Sequence, residues 1–125
     1  MSSFKKHVLE IVNEIPHGKI ASYGQVALIA GVARGARQVG HILHVHGRNY
    51  PWWRVINNAG RLSTTFLDNT NRSQKDLLLE EGINVNKNLE LDIEKYRWRP
   101  GPDVLKKLQL EDDYIQKIME KYFSS

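Results

Sequence analysis

Ser22-Tyr-Gly-Gln-Val-Ala-Leu-Ile-Ala-Gly31 and, three residues further on, Gly35-Ala-Arg-Gln-Val-Gly-His-Ile-Leu-His44 decide how this chain folds. The first stretch opens on Ser22-x-x-Gln25, the pattern of a capping box at a helix start. Val26, Ala27, Ile29 and Ala30 then supply its apolar side, and Gly31 suits the residue just past a helix end. The second stretch predicts a helix from Arg34 to about Val45, with Val39, Ile42 and Leu43 facing a core. Two short helices joined by a tight, glycine-containing turn form a helix-turn-helix. Gly35, Ala36 and Gly40 leave one face of the second helix nearly bare. Either a backbone or base edge approaches there, or another helix packs closely; the residues alone keep both readings open.

Working outward, Phe4, Val8, Ile11 and Ile15 recur at helical spacing, with Ser2 or Ser3 available as a cap, and Pro16-His-Gly18 ends that helix. On the other side, 48–51 reads as a loop. Val55-Ile56, then Asn57-Asn-Ala-Gly60, then Arg61-Leu62 predict a short hairpin or wing. Residues 63–72 are polar and rich in Thr and Asn, a loop. Gln74 to Glu81 predicts a helix packed through Leu77, Leu78 and Leu79, with Gly82 as its cap. Ile83 to Ile93 reads as a short strand or irregular return, and Tyr96 to Pro100 closes the domain. Gly101-Pro102 marks a break. Beyond it Leu105, Leu108, Ile115, Ile118, Met119 and Tyr122 predict one or two amphipathic helices, packed on the domain or offered to a partner. The expected fold is mainly α: a helix-turn-helix, winged-helix-like DNA-binding domain over 1–100 with a short hairpin wing, then a helical extension over 101–125.

Composition narrows the function. At 125 residues, 41% hydrophobic and 26% charged, the chain fits one soluble domain. No apolar run approaches the ~20 residues of a membrane span. Met1 to Glu10 lacks a signal-peptide core, so the expected location is intracellular, nuclear in a eukaryote and cytoplasmic in a prokaryote. The net charge of +4 is unevenly spread. Residues 1–61 hold eight Lys/Arg against two acids, and residues 62–125 hold ten against twelve. Between Ile15 and Leu67 there is no acid, but six Lys/Arg and four of the five histidines. An acid-free basic half is the footprint of a polyanion-binding face, and charge alone fits a basic surface with no partner equally well.

Pro51-Trp-Trp-Arg-Val55 places two adjacent tryptophans beside Tyr50 in a loop. Either these rings belong to the core, at least one of them, or they form an aromatic face in a concave site on a basic domain, which holds a base with ~1–3 kcal/mol per stacked base. The chain has no cysteine, which excludes thiolate nucleophiles and thiolate metal sites. His41 and His44 lie one helical turn apart, but no nearby Cys, Asp or Glu completes a metal site. Neither a phosphate-binding glycine loop nor a Ser/His/Asp signature occurs. No metal and no cofactor are expected.

At these residues the chain resembles a known family. Ala21-Ser-Tyr-Gly-Gln-Val-Ala27 and Gly35-Ala-Arg-Gln-Val-Gly40 resemble the helix-turn-helix of O6-alkylguanine-DNA alkyltransferases. Pro51-Trp-Trp-Arg-Val55 falls where those proteins carry Pro-Cys-His-Arg-Val. Gln74 to Gly82 resembles their Lys-x-x-Leu-Leu-x-x-Glu-Gly segment. The resemblance covers roughly Phe4 to Pro100. Trp52 stands in the nucleophile position, the signature of the alkyltransferase-like proteins, which bind alkylated DNA without repairing it.

That resemblance implies specific roles. Tyr23 matches the tyrosine that presses on the phosphate 3′ of the lesion. Arg37 matches the arginine finger that replaces the extruded base; a plain phosphate contact is the alternative, as a core role is for Tyr23. The recognition helix would enter the minor groove, where Ala36 and Gly40 present a small face. Tyr23, Arg34, Ala36, Arg37 and Gly40 form the expected DNA-contacting set. Tyr23, Leu43, Pro51, Trp52, Trp53 and Val55 form the expected lesion pocket. Trp53 replaces the histidine that activates the cysteine, and Glu81 matches the acid that orients that histidine; pairing with Arg54 is its expected new role. The implied function is non-enzymatic: a monomer binds double-stranded DNA containing O6-alkylguanine, rotates the damaged nucleotide out and flags it for nucleotide excision repair proteins. The alternative is a sequence-specific helix-turn-helix transcription regulator, although the Arg34–Val45 helix offers few base-reading groups. An enzyme acting on the flipped base would need an acid to activate water, and 15–67 has none.

Overall fold

A computed structural model describes residues 2–64, 66–108, 112–118 and 120. Met119 and Tyr122, and the side chains of Ser2, Ser3, Ile115 and Ile118, lie outside the described residues. Helix α1 runs Ser2–Glu14, strand β1 Ala21–Ser22, helix α2 Tyr23–Ile29 and helix α3 Ala36–His46. A single 3-10 turn, Trp52–Arg54, leads into β2, Val55–Ile56. Then come α4 (Gln74–Glu80), α5 (Ile93–Tyr96), α6 (Pro102–Lys107) and α7 (Asp112–Ile118). The architecture is mainly helical, with a small parallel sheet.

Local chemistry sets the ends of the helix-turn-helix. The Ser22 hydroxyl accepts from the Gln25 backbone N–H at 3.0 Å, satisfying one of the donors a helix start leaves free. Gln25 does not return the bond, as a capping box would have it. Its buried amide instead donates to the Trp98 carbonyl at 2.8 Å and accepts from Arg97 at 3.0 Å. The first helix therefore anchors to the last segment of the domain. Gly31 takes φ +94, the left-handed conformation that ends α2 at little cost only for glycine. α3 begins at Ala36 rather than Arg34, because Gly35 caps it and Arg34 lies in the connecting turn.

The expected 55–62 hairpin does not form. Val55 and Ile56 pair in parallel with Ala21 and Ser22. After the turn at 57–60 the chain is held by a different segment: Leu91 N–H donates to the Gly60 carbonyl at 2.9 Å, and Leu62 N–H to the Leu89 carbonyl at 3.0 Å. A Cβ at Gly60 would sit 2.3 Å from the Leu91 carbonyl oxygen, so only glycine permits this approach. The 83–93 return is thus the partner of 60–62, through an antiparallel bridge between Arg61 and Glu90.

Two apolar clusters form the core. The larger joins α1, α2 and α3 with Trp52, Val55, Trp98 and Leu105; the smaller gathers Ile20, Ile56, Leu78 and Ile83. Trp53 packs against both. The extension lies on the larger cluster. Leu105 is fully buried, Lys107 pairs with Glu14 at 2.9 Å, and the Tyr114 hydroxyl donates to the Leu28 carbonyl.

Candidate nucleic-acid interface

Helix α3 presents its outer face at the edge of the molecule, with Arg37, Gln38 and His41 exposed and Arg34 exposed in the turn before it. Arg37 and His41, with Lys5, rim an open hollow of about 540 Å³ floored by Phe4, Val32 and Ile42. Arg37 and Lys5 therefore stand beside apolar side chains, Arg37 within the stretch without acids. The two readings of the small face now separate. A Cβ at Gly35 would meet Gln38 Oε1, the Val32 carbonyl and Phe4 Cζ at 3.1–3.2 Å, so Gly35 serves internal packing. A Cβ at Gly40 would meet only Tyr23 Cε1, at an ordinary 3.9 Å. Nothing inside the described protein requires glycine at 40.

Beside Gly40 lies a cavity of about 110 Å³, lined by Tyr23, Gly40, Leu43, His44, Trp52, Ser63 and Phe66. Of the expected pocket residues, Tyr23, Leu43 and Trp52 meet here. Pro51, Trp53 and Val55 are not among the lining residues. Pro51 caps the 3-10 turn, Val55 is fully buried in β2, and Trp53, whose ring meets that of Trp52 edge-on at 6.0 Å, gives its indole N–H to Glu81. Burial raises the Tyr23 phenol above its ordinary value, so it stays a neutral hydroxyl.

Trp52 is 4% exposed, and its ring lies 4.2 Å from that of Phe66, tilted by 51°. His44 meets Phe66 edge-on at 5.0 Å, and the Arg48 guanidinium sits 5.7 Å from the same ring. The Trp52 indole N–H is buried with no partner among the described residues. His44, Ser63 and Phe66 were missed in the sequence reading. The available signal for Phe66 was a lone aromatic in an otherwise polar tract.

Behind Trp52 the second tryptophan has its own role. Trp53 Nε1 donates to Glu81 Oε2 at 2.6 Å. Glu81 also takes Arg54 Nε at 3.0–3.1 Å and the Gly18 backbone N–H at 2.7 Å. Glu81 therefore keeps an aromatic N–H donor at position 53 together with the expected ion pair to Arg54. Burial alone would raise the Glu81 carboxyl; Arg54, Gly18 and Trp53 outweigh it and hold the group below its ordinary value. Gln74 fastens the Trp53-containing segment from the other side. Its buried amide donates to the Trp53 and Val55 carbonyls and accepts from the Ser63 N–H at 2.7 Å.

Comparison with known proteins agrees with this geometry. Residues 3–83 match the family described as 6-O-methylguanine DNA methyltransferase, DNA binding domain. The DNA base-flipping protein of Escherichia coli is 42% identical over 98 residues, covering 77% of this chain and 74% of that protein. Alkyltransferase-like protein 1 of Schizosaccharomyces pombe is 37% identical over 106 residues, covering 80% and 98%. The crystal structure of that yeast protein in complex with damaged DNA containing O6-carboxymethylguanine superposes with a TM-score of 0.70 at 37% identity, over 80% of this chain and 98% of that one. The chain belongs to the 6-O-methylguanine DNA methyltransferase DNA-binding-domain family.

Proposed function

We propose that this chain recognises O6-alkylguanine in duplex DNA, extrudes the damaged nucleotide into the cavity beside Gly40 and holds it without chemistry. The observation that carries this reading is the wall at Trp52: an indole, not a thiol, lines the cavity next to the helix-turn-helix, in a chain with no cysteine. Alkyl transfer needs an activated thiolate. Trp52 takes the place of that nucleophile, and Trp53 takes the place of its activating base. What remains is a concave aromatic surface, which suits a reader of the alkyl group.

Arg34, Ala36, Arg37 and Gly40 contact the duplex through the minor groove, and Tyr23 presses on the phosphate 3′ of the lesion. Arg37 enters the stack and fills the gap. Rotating a base out costs a few kcal/mol, and least where pairing is already weak, so a damaged pair is extruded preferentially. Support comes from the exposed cations of α3, the bare side of Gly40, and relatives named for base flipping. The solved relative bound to O6-carboxymethylguanine DNA supports the lesion class. Residues 1–100 perform this binding as a monomer, and Leu105, Lys107 and Tyr114 of the extension buttress α1 and α2. The bound, unrepaired lesion is then a flag for nucleotide excision repair proteins in the compartment that holds DNA.

The test is binding to two duplexes that differ only in guanine versus O6-methylguanine, at one fixed salt concentration because salt alone shifts such affinities by orders of magnitude. Binding to the modified duplex should be at least tenfold tighter, the modified base should be recovered intact, and no methyl group should appear on the protein. Equal affinity for both duplexes overturns the reading.

A further inference from the structure

We propose that Phe66 is the adjustable wall of the cavity and sets which O6-substituents fit; this rests on the lesion-binding reading above. The cavity measures about 110 Å³, whereas pockets that enclose a drug-sized molecule run from roughly 300 Å³ upward. An extruded purine with its substituent needs more room than the protein holds open. Tyr23 stands at the start of α2, Gly40, Leu43 and His44 stand on α3, and Trp52 is in the 3-10 turn packed into the main core. Phe66 and Ser63 belong to the irregular segment between β2 and α4. Phe66 belongs to the same apolar cluster as Trp52, but it is the large side chain of the lining that lies outside every helix, strand and 3-10 turn, and so it is the wall that yields.

The Phe66 ring is 8% exposed, packed on Trp52 and met by the edge of His44. The Phe66 backbone N–H donates to the Ser63 hydroxyl, and Ser63 N–H in turn donates to Gln74, which also holds Trp53 and Val55. On the far side, Asp68 accepts from Thr70 and from the Arg72 backbone and guanidinium, closing the loop on itself. Phe66 thus swings from a braced backbone between two states. In one it stacks on Trp52 and fills the cavity. In the other it leaves Trp52 and encloses the substituent. A small substituent leaves much of the stack in place; a bulky one displaces the ring and forfeits it.

Duplexes carrying guanine, O6-methylguanine or O6-benzylguanine, bound to the parent, Phe66→Ala and Phe66→Trp, separate the possibilities. The benzyl-to-methyl affinity ratio should rise about tenfold in Phe66→Ala and fall severalfold in Phe66→Trp. If Phe66→Ala does not fold, Phe66→Leu replaces it, with the same direction and a smaller change. A parent that binds guanine and O6-methylguanine equally overturns the lesion-binding reading. A parent that discriminates, with variants that leave the benzyl-to-methyl ratio unchanged, overturns the role of Phe66 alone.

Discussion

The indole N–H of Trp53 donates to the Glu81 carboxylate at 2.6 Å, and Arg54 bridges the same carboxylate at 2.9 Å. One acid therefore ties the 3-10 turn to the end of α4, and through Gly18 to the turn after α1. Removing it leaves Arg54 half-buried without its counter-ion. Glu81→Gln should cost about 3 kcal/mol of stability at neutral pH, the order seen when one partner of a buried pair is lost. Its folded-state pKa is lowered, so this contribution is fully present above the unfolded carboxylate value near ~4.3 and fades as pH falls through the folded value. Urea unfolding of parent and variant at pH 7 and pH 3 checks both claims; an equal gap at the two pH values contradicts the assignment.

Trp52→Cys alone should not create a methyltransferase. A cysteine at 52 would face Trp53, whose indole N–H only donates and is already committed to Glu81. Buried and without a base beside it, its thiol would stay protonated and react slowly. Incubation with DNA carrying labelled O6-methylguanine, followed by counting label on protein, should give no more than a trace.

Gly40→Ala should stabilise the free protein while weakening DNA binding. Glycine in a helix interior costs roughly 0.5–1 kcal/mol relative to alanine, and the added Cβ meets only an ordinary contact with Tyr23. A Tm raised by a few degrees, together with an affinity reduced about tenfold, is the expected pair of results. A variant that binds DNA as well as the parent would show that no backbone or base comes close to this face.

Arg37→Ala distinguishes a finger from a phosphate contact. The residue is exposed, so stability should change by less than about 0.5 kcal/mol. Loss of a finger should cut the preference for O6-methylguanine over guanine about tenfold. Loss of a phosphate contact should weaken both duplexes equally and lower the salt slope by about one unit.

Leu105→Ala tests the extension. The side chain is fully buried against the main core, and truncations of this kind cost about 2–5 kcal/mol. Thermal unfolding should show the loss, and the ratio of affinities for modified and unmodified duplex should stay unchanged.

The helix-turn-helix was legible in the sequence because its signals are local. Helical periodicity, Ser22 at the cap and Gly31 at the stop each act within one turn of chain. The absence of cysteine was likewise settled by composition, and with it the exclusion of thiolate chemistry. The partners of the short strands were not legible. Val55-Ile56 and Arg61-Leu62 look like the two arms of a hairpin, yet each pairs with a segment about 30 residues away in sequence. Backbone hydrogen bonds are the same for every residue type, so a two-residue strand carries little information about its partner. The two tryptophans show the same division. Sequence placed them side by side, whereas only the fold sends Trp52 to the cavity with Phe66 and Trp53 to Glu81. Those contacts join residues 14 and 28 positions apart, and nothing short of the packed core brings them together.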